Sequence, residues 1–172
     1  MPLWQFLIPE NACTAEEKAE LAEKITNIYS SDFSRENFGF ELPKFYTSVV
    51  FHEIKEENYY VGGVPRKNFV QIEVVHIARS NEGAAASQGT TVEEILRRYY
   101  ENINGFLKPY FFDRGYEVEF HAENAPFENW RIDGMTPPPP NSAAEARWYK
   151  ENRSSPYDAV DADEAERLIA SR

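Results

Sequence analysis

Pro2 carries the most distinctive chemistry in this sequence. Once an initiator methionine is removed, which a small second residue such as proline normally permits, the chain begins with a free secondary amine that can act as nucleophile or base. The amine leads straight into Leu3-Trp4-Gln5-Phe6-Leu7-Ile8, an apolar run that reads as a buried strand, so the nitrogen is fixed at the end of a core element and not on a frayed terminus. A second candidate is Asn129-Trp130-Arg131-Ile132-Asp133-Gly134, where polar and aromatic side chains crowd together. Trp130 would serve as a pocket wall and Arg131 as a cation, although the same segment would suit a subunit contact, where Trp and Arg are enriched.

Other residue types exclude several chemistries. With Cys13 alone no internal disulfide forms, and three scattered histidines give no metal-ligand spacing, so neither a metal nor a cofactor is expected. His52, His76 and His121 fall on predicted strands and are expected as satisfied core or interface residues. Glu16-Glu17 and Glu93-Glu94 lie in first helical turns, where they favour the helix dipole. A net charge of −11, from 29 acidic against 18 basic side chains with no run of Lys or Arg, argues against nucleic acid as a partner. The apolar start is far shorter than the roughly 20 residues needed to span a bilayer and lacks a basic flank, so a cytoplasmic protein without membrane contact is expected.

The elements that must position these groups are legible as two similar units. Thr14-Ala15-Glu16-Glu17 is a capping box opening a helix over about 14–31, with Leu21, Ala22, Ile25, Ile28 and Tyr29 on its apolar face. After a Gly- and Pro-punctuated loop, Phe45 to Ile54 reads as a strand, and Tyr59 to Gly63 as a short arm closing on a turn. The second unit repeats the order. Phe69 to Ile77 alternates as a strand, Asn81 to Thr90 reads as flexible, and a second capping box, Thr91-Val92-Glu93-Glu94, opens a helix buried along Val92, Ile95, Leu96, Tyr99, Ile103 and Leu107. Tyr99 and Tyr100 are expected to pack, and Tyr116 to His121 closes the unit as a strand. Two β-α-β units predict an α+β fold, one four-stranded sheet with both helices on one face. The other face then needs a cover, which self-association would supply. The 172 residues, 42% hydrophobic and 15% aromatic, suffice for one such domain over 1–136. Pro137 to Pro140 reads as a rigid spacer before a helical tail, 137–172, with helices over about 143–152 and 161–171; Trp148 and Tyr149 are its candidate anchors, and no chemistry is assigned to it.

An amino-terminal proline on a strand, tandem β-α-β units and a lone arginine ending the third strand resemble the tautomerase superfamily. The likeness is greatest to its cis-3-chloroacrylic acid dehalogenase branch and that branch's fungal relatives of the oxalocrotonate tautomerase type. It is carried by Pro2 to Ile8, Thr14 to Tyr29, Val61-Gly62-Gly63-Val64, His76-Ile77-Ala78-Arg79 and Phe127 to Gly134, over roughly residues 2 to 140. The resemblance implies a homotrimer, no cofactor, and an active site around Pro2, whose amine acts as general base or acid on a small carboxylate substrate. Apolar neighbours and a guanidinium both disfavour the ammonium form of such an amine. Arg79 would supply that guanidinium and hold the substrate carboxylate in a bidentate pair.

The departures from that branch are specific. Tyr29 stands where the dehalogenases place a catalytic histidine, which makes it a candidate catalytic residue beside Pro2 and Arg79, although phenol and imidazole differ in charge and pKa. Ser80-Asn81-Glu82 offers no second arginine. The water-positioning glutamate falls near Ile132, with Asp133 adjacent as a stand-in, and the strand tyrosine is replaced within Tyr116 to Phe120. Efficient hydrolytic dehalogenation is therefore not expected. Keto-enol tautomerisation of a 2-oxo or unsaturated acid asks only for Pro2, Arg79 and an apolar pocket. The alternatives are hydratase, dehalogenase-like or decarboxylase activity on a 3-substituted acrylate, and a degenerate trimeric scaffold that binds a small acid or a protein.

Overall fold

The computed structural model describes residues 2–158 of the chain. In chain order it contains β1 (Leu3–Pro9), α1 (Ala15–Tyr29), α2 (Asp32–Phe38), β2 (Ser48–Ile54), β3 (Tyr60–Val61), β4 (Val64–Pro65), β5 (Phe69–His76), α3 (Asn81–Gln88), α4 (Val92–Leu107), β6 (Glu117–Asn124) and α5 (Ala143–Glu151). Both predicted helix starts are capped, the first by the full box and the second by its threonine hydroxyl. Thr14 Oγ1 accepts from Glu17 N at 3.2 Å while the Glu17 carboxylate accepts from Thr14 N at 2.9 Å, and Thr91 Oγ1 accepts from Glu94 N at 3.3 Å.

The four long strands form one sheet in the order β2-β1-β5-β6. β1 runs parallel to β2, starting from Leu3↔Ser48, and β5 parallel to β6, starting from Phe69↔Glu117. The two central strands are antiparallel, with Leu3 opposite Val75. Period-two alternation puts Trp4, Phe6 and Ile8 of β1 and Val70, Ile72 and Val74 of β5 on one face, all fully buried. That face meets Leu21, Ile25 and Ile28 of α1 and Ile95, Ile103 and Leu107 of α4 in one core. The expected α+β sheet with two helices on one face is thus observed. On the opposite face Leu3, Leu7 and Val75 are half-buried and Val50 is exposed.

The antiparallel centre matters most for function. It brings the start of β1 beside the end of β5, so Pro2 and the segment His76-Ile77-Ala78-Arg79 are neighbours although more than seventy residues separate them.

Three local expectations are corrected. The stretch 81–90, expected to be flexible, forms α3, because Ser80 Oγ accepts from Gly83 N at 3.1 Å and Gly89, at φ +59°, ends the helix in the left-handed region. The loop after α1 contains α2, which closes on Gly39 at φ +75°. A Cβ at Gly39 would lie 2.1 Å from Ser87 Oγ, so only glycine lets α2 end against α3. The second strand begins at Ser48 and not at Phe45, since Pro43 leads a single 3-10 turn over Lys44–Tyr46 that swings Tyr46 into the core.

The described residues after Pro140 include a helix packed on the body. Ser142 caps α5 by accepting from Glu145 N at 3.1 Å, and Trp148 is fully buried against Phe45 and Tyr46, with ring centroids 5.9 and 6.2 Å away. Trp148 Nε1 donates to Ser155 O at 2.7 Å and Phe45 N donates to Asn152 Oδ1 at 2.9 Å. Tyr149, the other candidate anchor, donates its hydroxyl to Glu41. The helix expected over 161–171 lies outside the described residues. No helix among the described residues is long and apolar enough to cross a membrane.

Candidate active site

A pocket of about 730 Å³, counted to its open mouth, lies at the β1-start, β5-end corner of the sheet. Pro2 lines it as a buried residue whose carbonyl accepts from Ser48 N at 3.0 Å, which ties the chain start to β2. His76, Ile77, Ala78 and Arg79 follow from the end of β5, and Ser80, Asn81 and Ala84 from the start of α3. The remaining walls are mostly apolar and aromatic: Ile28 and Tyr29 end α1, Phe38, Phe40 and Leu42 come from the end of α2 and its loop, Ile95, Leu96, Tyr99 and Tyr100 from α4, and Ala122 from β6, which also adds the polar Asn124. Pro2, Tyr29 and Arg79 are therefore brought together. Trp130, Arg131 and Asp133 are not among the lining residues. Trp130 is buried edge-on against Tyr46 and Phe127, at 4.8 and 5.7 Å, because the turn over Phe127–Asn129 folds it inward. Arg131 donates to the carbonyls of Glu128 and Trp130, at 2.9 and 2.7 Å, and Asp133 accepts from Ser154.

Tyr29 is the centre of a buried polar cluster. Its hydroxyl accepts from Trp4 Nε1 at 3.0 Å and lies 2.8 Å from His76 Nε2 and 2.9 Å from Tyr99 Oη, which is itself 3.1 Å from His76 Nε2. A neutral imidazole accepting at Nε2 lets Tyr29 donate to it while receiving from Trp4 and Tyr99. Burial raises both phenols well above their ordinary range. Burial first, and the positive amino terminus second, lower His76 from an ordinary 6.5 to about 4. The cluster is therefore uncharged at neutral pH. His76 and Tyr99 were expected only to pack; the antiparallel pairing of β1 with β5, which a sequence does not display, makes them pocket residues.

The low value at His76 has a measurable consequence. The unfolded chain protonates this imidazole near 6.5 and the folded chain only near 4, so the unfolded state binds more protons in between. The stabilisation is complete above about pH 6.5 and is lost as pH falls toward 4. Because one edge of the ring faces the pocket, the loss should be roughly 2 kcal/mol. Urea unfolding between pH 7 and 4 should therefore show a steeper acid decline in the wild type than in His76→Gln; parallel declines would show that His76 is not held neutral.

Arg79 is the one charged side chain among the described lining residues. Its Nη1 donates to Ala78 O at 3.0 Å and its Nη2 to Glu145 Oε2 at 2.7 Å, while its guanidinium carbon lies 6.0 Å from the centroid of the Phe40 ring. Glu145 belongs to α5, in the segment to which sequence reasoning gave no chemistry, and nothing in its neighbours Ala144 and Ala146 signals a partner near position 79. The described residues contain no cluster of three or more groups able to hold a metal ion.

Comparison with known proteins bears on the family and the fold. Residues 1–153 match the family described as "Putative oxalocrotonate tautomerase enzyme". The chain is 37% identical to RhCC from Rhodococcus jostii RHA1, covering 90% of this chain and 99% of RhCC at a TM-score of 0.76. It is 32% identical to a probable enzyme from the thermophilic fungus Aspergillus fumigatus, covering 91% and 98% at a TM-score of 0.74. N1, a member of the cis-3-chloroacrylic acid dehalogenase family, shares the fold at 16% identity and a TM-score of 0.56, over 99% of both chains. No curated protein matches the chain. Two β-α-β units joined antiparallel through β1 and β5, with the family match along nearly all of the chain's length, make this chain a member of the oxalocrotonate tautomerase family within the tautomerase superfamily.

Proposed function

We propose that the protein is a proline-dependent tautomerase that interconverts keto and enol forms of a small 2-oxo carboxylic acid. The observation that carries this reading is the placement of Pro2 and Arg79 in one aromatic pocket. With Met1 removed, the Pro2 nitrogen takes a proton from the enol hydroxyl or the carbon next to the carbonyl and returns one to the other site, so the proton count balances without a second reagent. Arg79 holds the carboxylate with its free N–H groups. Tyr29 acts as a positioning residue, because its hydroxyl is committed to Trp4, His76 and Tyr99. Hydration and dehalogenation are disfavoured because none of the described lining residues is a carboxylate that could activate water, and Asp133, the one candidate, is engaged with Ser154.

The direct test is phenylenolpyruvate ketonisation by protein whose mass shows Met1 to be absent. A rate no higher than that of buffer would overturn the reading and favour a binding scaffold.

We also infer a homotrimer. Leu3, Leu7, Val50 and Val75 leave apolar area on the sheet face opposite the helices, and exposed Tyr60 and Val64 on the short β3-β4 hairpin could extend the contact. Light scattering should return three times the chain mass, and the mass of one chain would refute the trimer.

A further inference from the structure

Arg79, the one charged side chain among the described lining residues, is already paired. Arg79 and Glu145 keep 15% and 6% of their side chains exposed, so the pair is screened little by water. Glu145 is held from three directions: its Oε2 accepts from Asn141 N at 2.7 Å as well as from Arg79, its backbone N donates to Ser142 Oγ, and the helix that carries it is pinned by Trp148. The carboxylate is therefore a fixture beside the substrate site and not a side chain free to swing into solvent. Arg79 retains three further N–H donors beyond the two engaged by Ala78 and Glu145, enough to hold one carboxylate. The rest of the described lining, with Phe38, Phe40, Ile95, Leu96, Tyr99 and Tyr100, offers no second cationic side chain, and the Pro2 amine is reserved for proton transfer.

A single carboxylate on a ligand can reach those donors while its apolar body takes the aromatic walls. A second carboxylate on the same ligand finds only neutral polar side chains, Ser80, Asn81 and Asn124, among the described lining residues, and it adds repulsion from Glu145. We propose that Glu145 sets the charge selectivity of the pocket: by holding Arg79 in a net-neutral pair it confines the site to mono-anionic oxo or enol acids with an aromatic or branched apolar body and turns dicarboxylates away. This rests on the reading of the pocket as a small-acid site. It adds the substrate class, and it gives a chemical role to a residue beyond the polyproline run.

Equilibrium binding tests it independently of turnover. Cinnamate carries one carboxylate, 4-carboxycinnamate carries two, and the 4-methyl ester of the latter has the bulk of the diacid but a single charge. Titration calorimetry on the full chain should find cinnamate and the ester within about threefold of each other and the diacid at least about tenfold weaker. Glu145→Gln, which keeps an acceptor for Arg79 and Asn141, should narrow the gap between ester and diacid by about threefold or more. Equal binding of diacid and ester by the wild type overturns the proposal, as does rejection of the ester, which would make size the criterion, or failure of all three to bind. An unchanged gap in a Glu145→Gln chain that melts like the wild type also overturns it; should that variant not fold, the wild-type ratio decides alone. Selective binding without phenylenolpyruvate ketonisation would sink the tautomerase reading and leave the selectivity standing, whereas fast turnover of a dicarboxylate enol would do the reverse.

Discussion

Pro2→Ala should lower phenylenolpyruvate ketonisation by at least about 100-fold, the lower end of what a positioned acid-base group contributes. Alanine still leaves an amine at the chain start, so the loss measures placement as well as basicity. The proline ring is buried and its carbonyl is bonded to Ser48 N, so the nitrogen projects from a fixed rim beside β5. Alanine loses the ring that restricts φ and the apolar contact that holds it. A second preparation separates chemistry from fold. Protein that keeps Met1 has the same pocket walls, but its Pro2 nitrogen is an amide without basicity, and it should be as inactive as Pro2→Ala while melting like the mature chain. Activity above one tenth of wild type in Pro2→Ala, or any activity in fully Met1-retaining protein, would remove the proline from the mechanism.

The parts of this site that were legible in the sequence are those governed by local chemistry. The capping box at Thr14, the threonine cap at Thr91 and the alternation from Leu3 and from Phe69 depend on residues within a few positions, and each forms where its pattern falls, although the Glu94 carboxylate accepts from Arg97 and Arg98 and so leaves the second box half made. Pro2 and Arg79 could be paired only through the family likeness, since their proximity follows from the antiparallel β1-β5 register and no local pattern encodes it. The same register explains His76. On a strand pattern it is one more half-buried residue, yet pairing Leu3 with Val75 sets the next step of β5 beside the chain start. α3 was missed for a different reason: Asn81-Glu82-Gly83-Ala84-Ala85-Ala86 lacks large apolar residues at helical spacing, and the helix is fixed by its Ser80 cap and by close packing on Gly39. Trp130 illustrates the converse error. A dense polar and aromatic segment suggested a pocket wall, but the turn over Phe127–Asn129 commits the indole to Tyr46.

The tail was hardest to read because its tie to the pocket is one long-range pair. Trp148 was recognisable as an anchor from its size alone, since a tryptophan in a polar stretch needs a surface to cover. Glu145 was not, because a glutamate in the first turn of a helix already has a sufficient local reason, its interaction with the helix dipole. Its backbone N indeed serves the Ser142 cap while its carboxylate reaches Arg79, so one residue satisfies a local and a distant requirement at once. A reading from local pattern stops at the first.

Arg79→Ala should therefore fail twice, and the two failures should separate. Removing the guanidinium deprives a carboxylate substrate of the one cationic side chain among the described lining residues, so the site should lose both binding and turnover, with kcat/KM down by at least about 100-fold if the contact tightens in the transition state. It also strands Glu145 as a buried carboxylate with Asn141 N as its remaining partner among the contacts described, and breaking such a pair typically costs about 3 kcal/mol. A second substitution in the same chain, Glu145→Gln, removes the stranded charge while keeping an acceptor for Asn141. Arg79→Ala/Glu145→Gln should then recover most of the lost stability, and the coupling between the two positions, read from urea unfolding of the four chains, should exceed about 1 kcal/mol. Activity should not recover, because the neutral pair of side chains offers nothing to a carboxylate. If Arg79→Ala unfolds at the same urea concentration as the wild type, the pair is an ordinary surface contact and Glu145 has no hold on the site; if it keeps its activity, the substrate carboxylate is bound elsewhere.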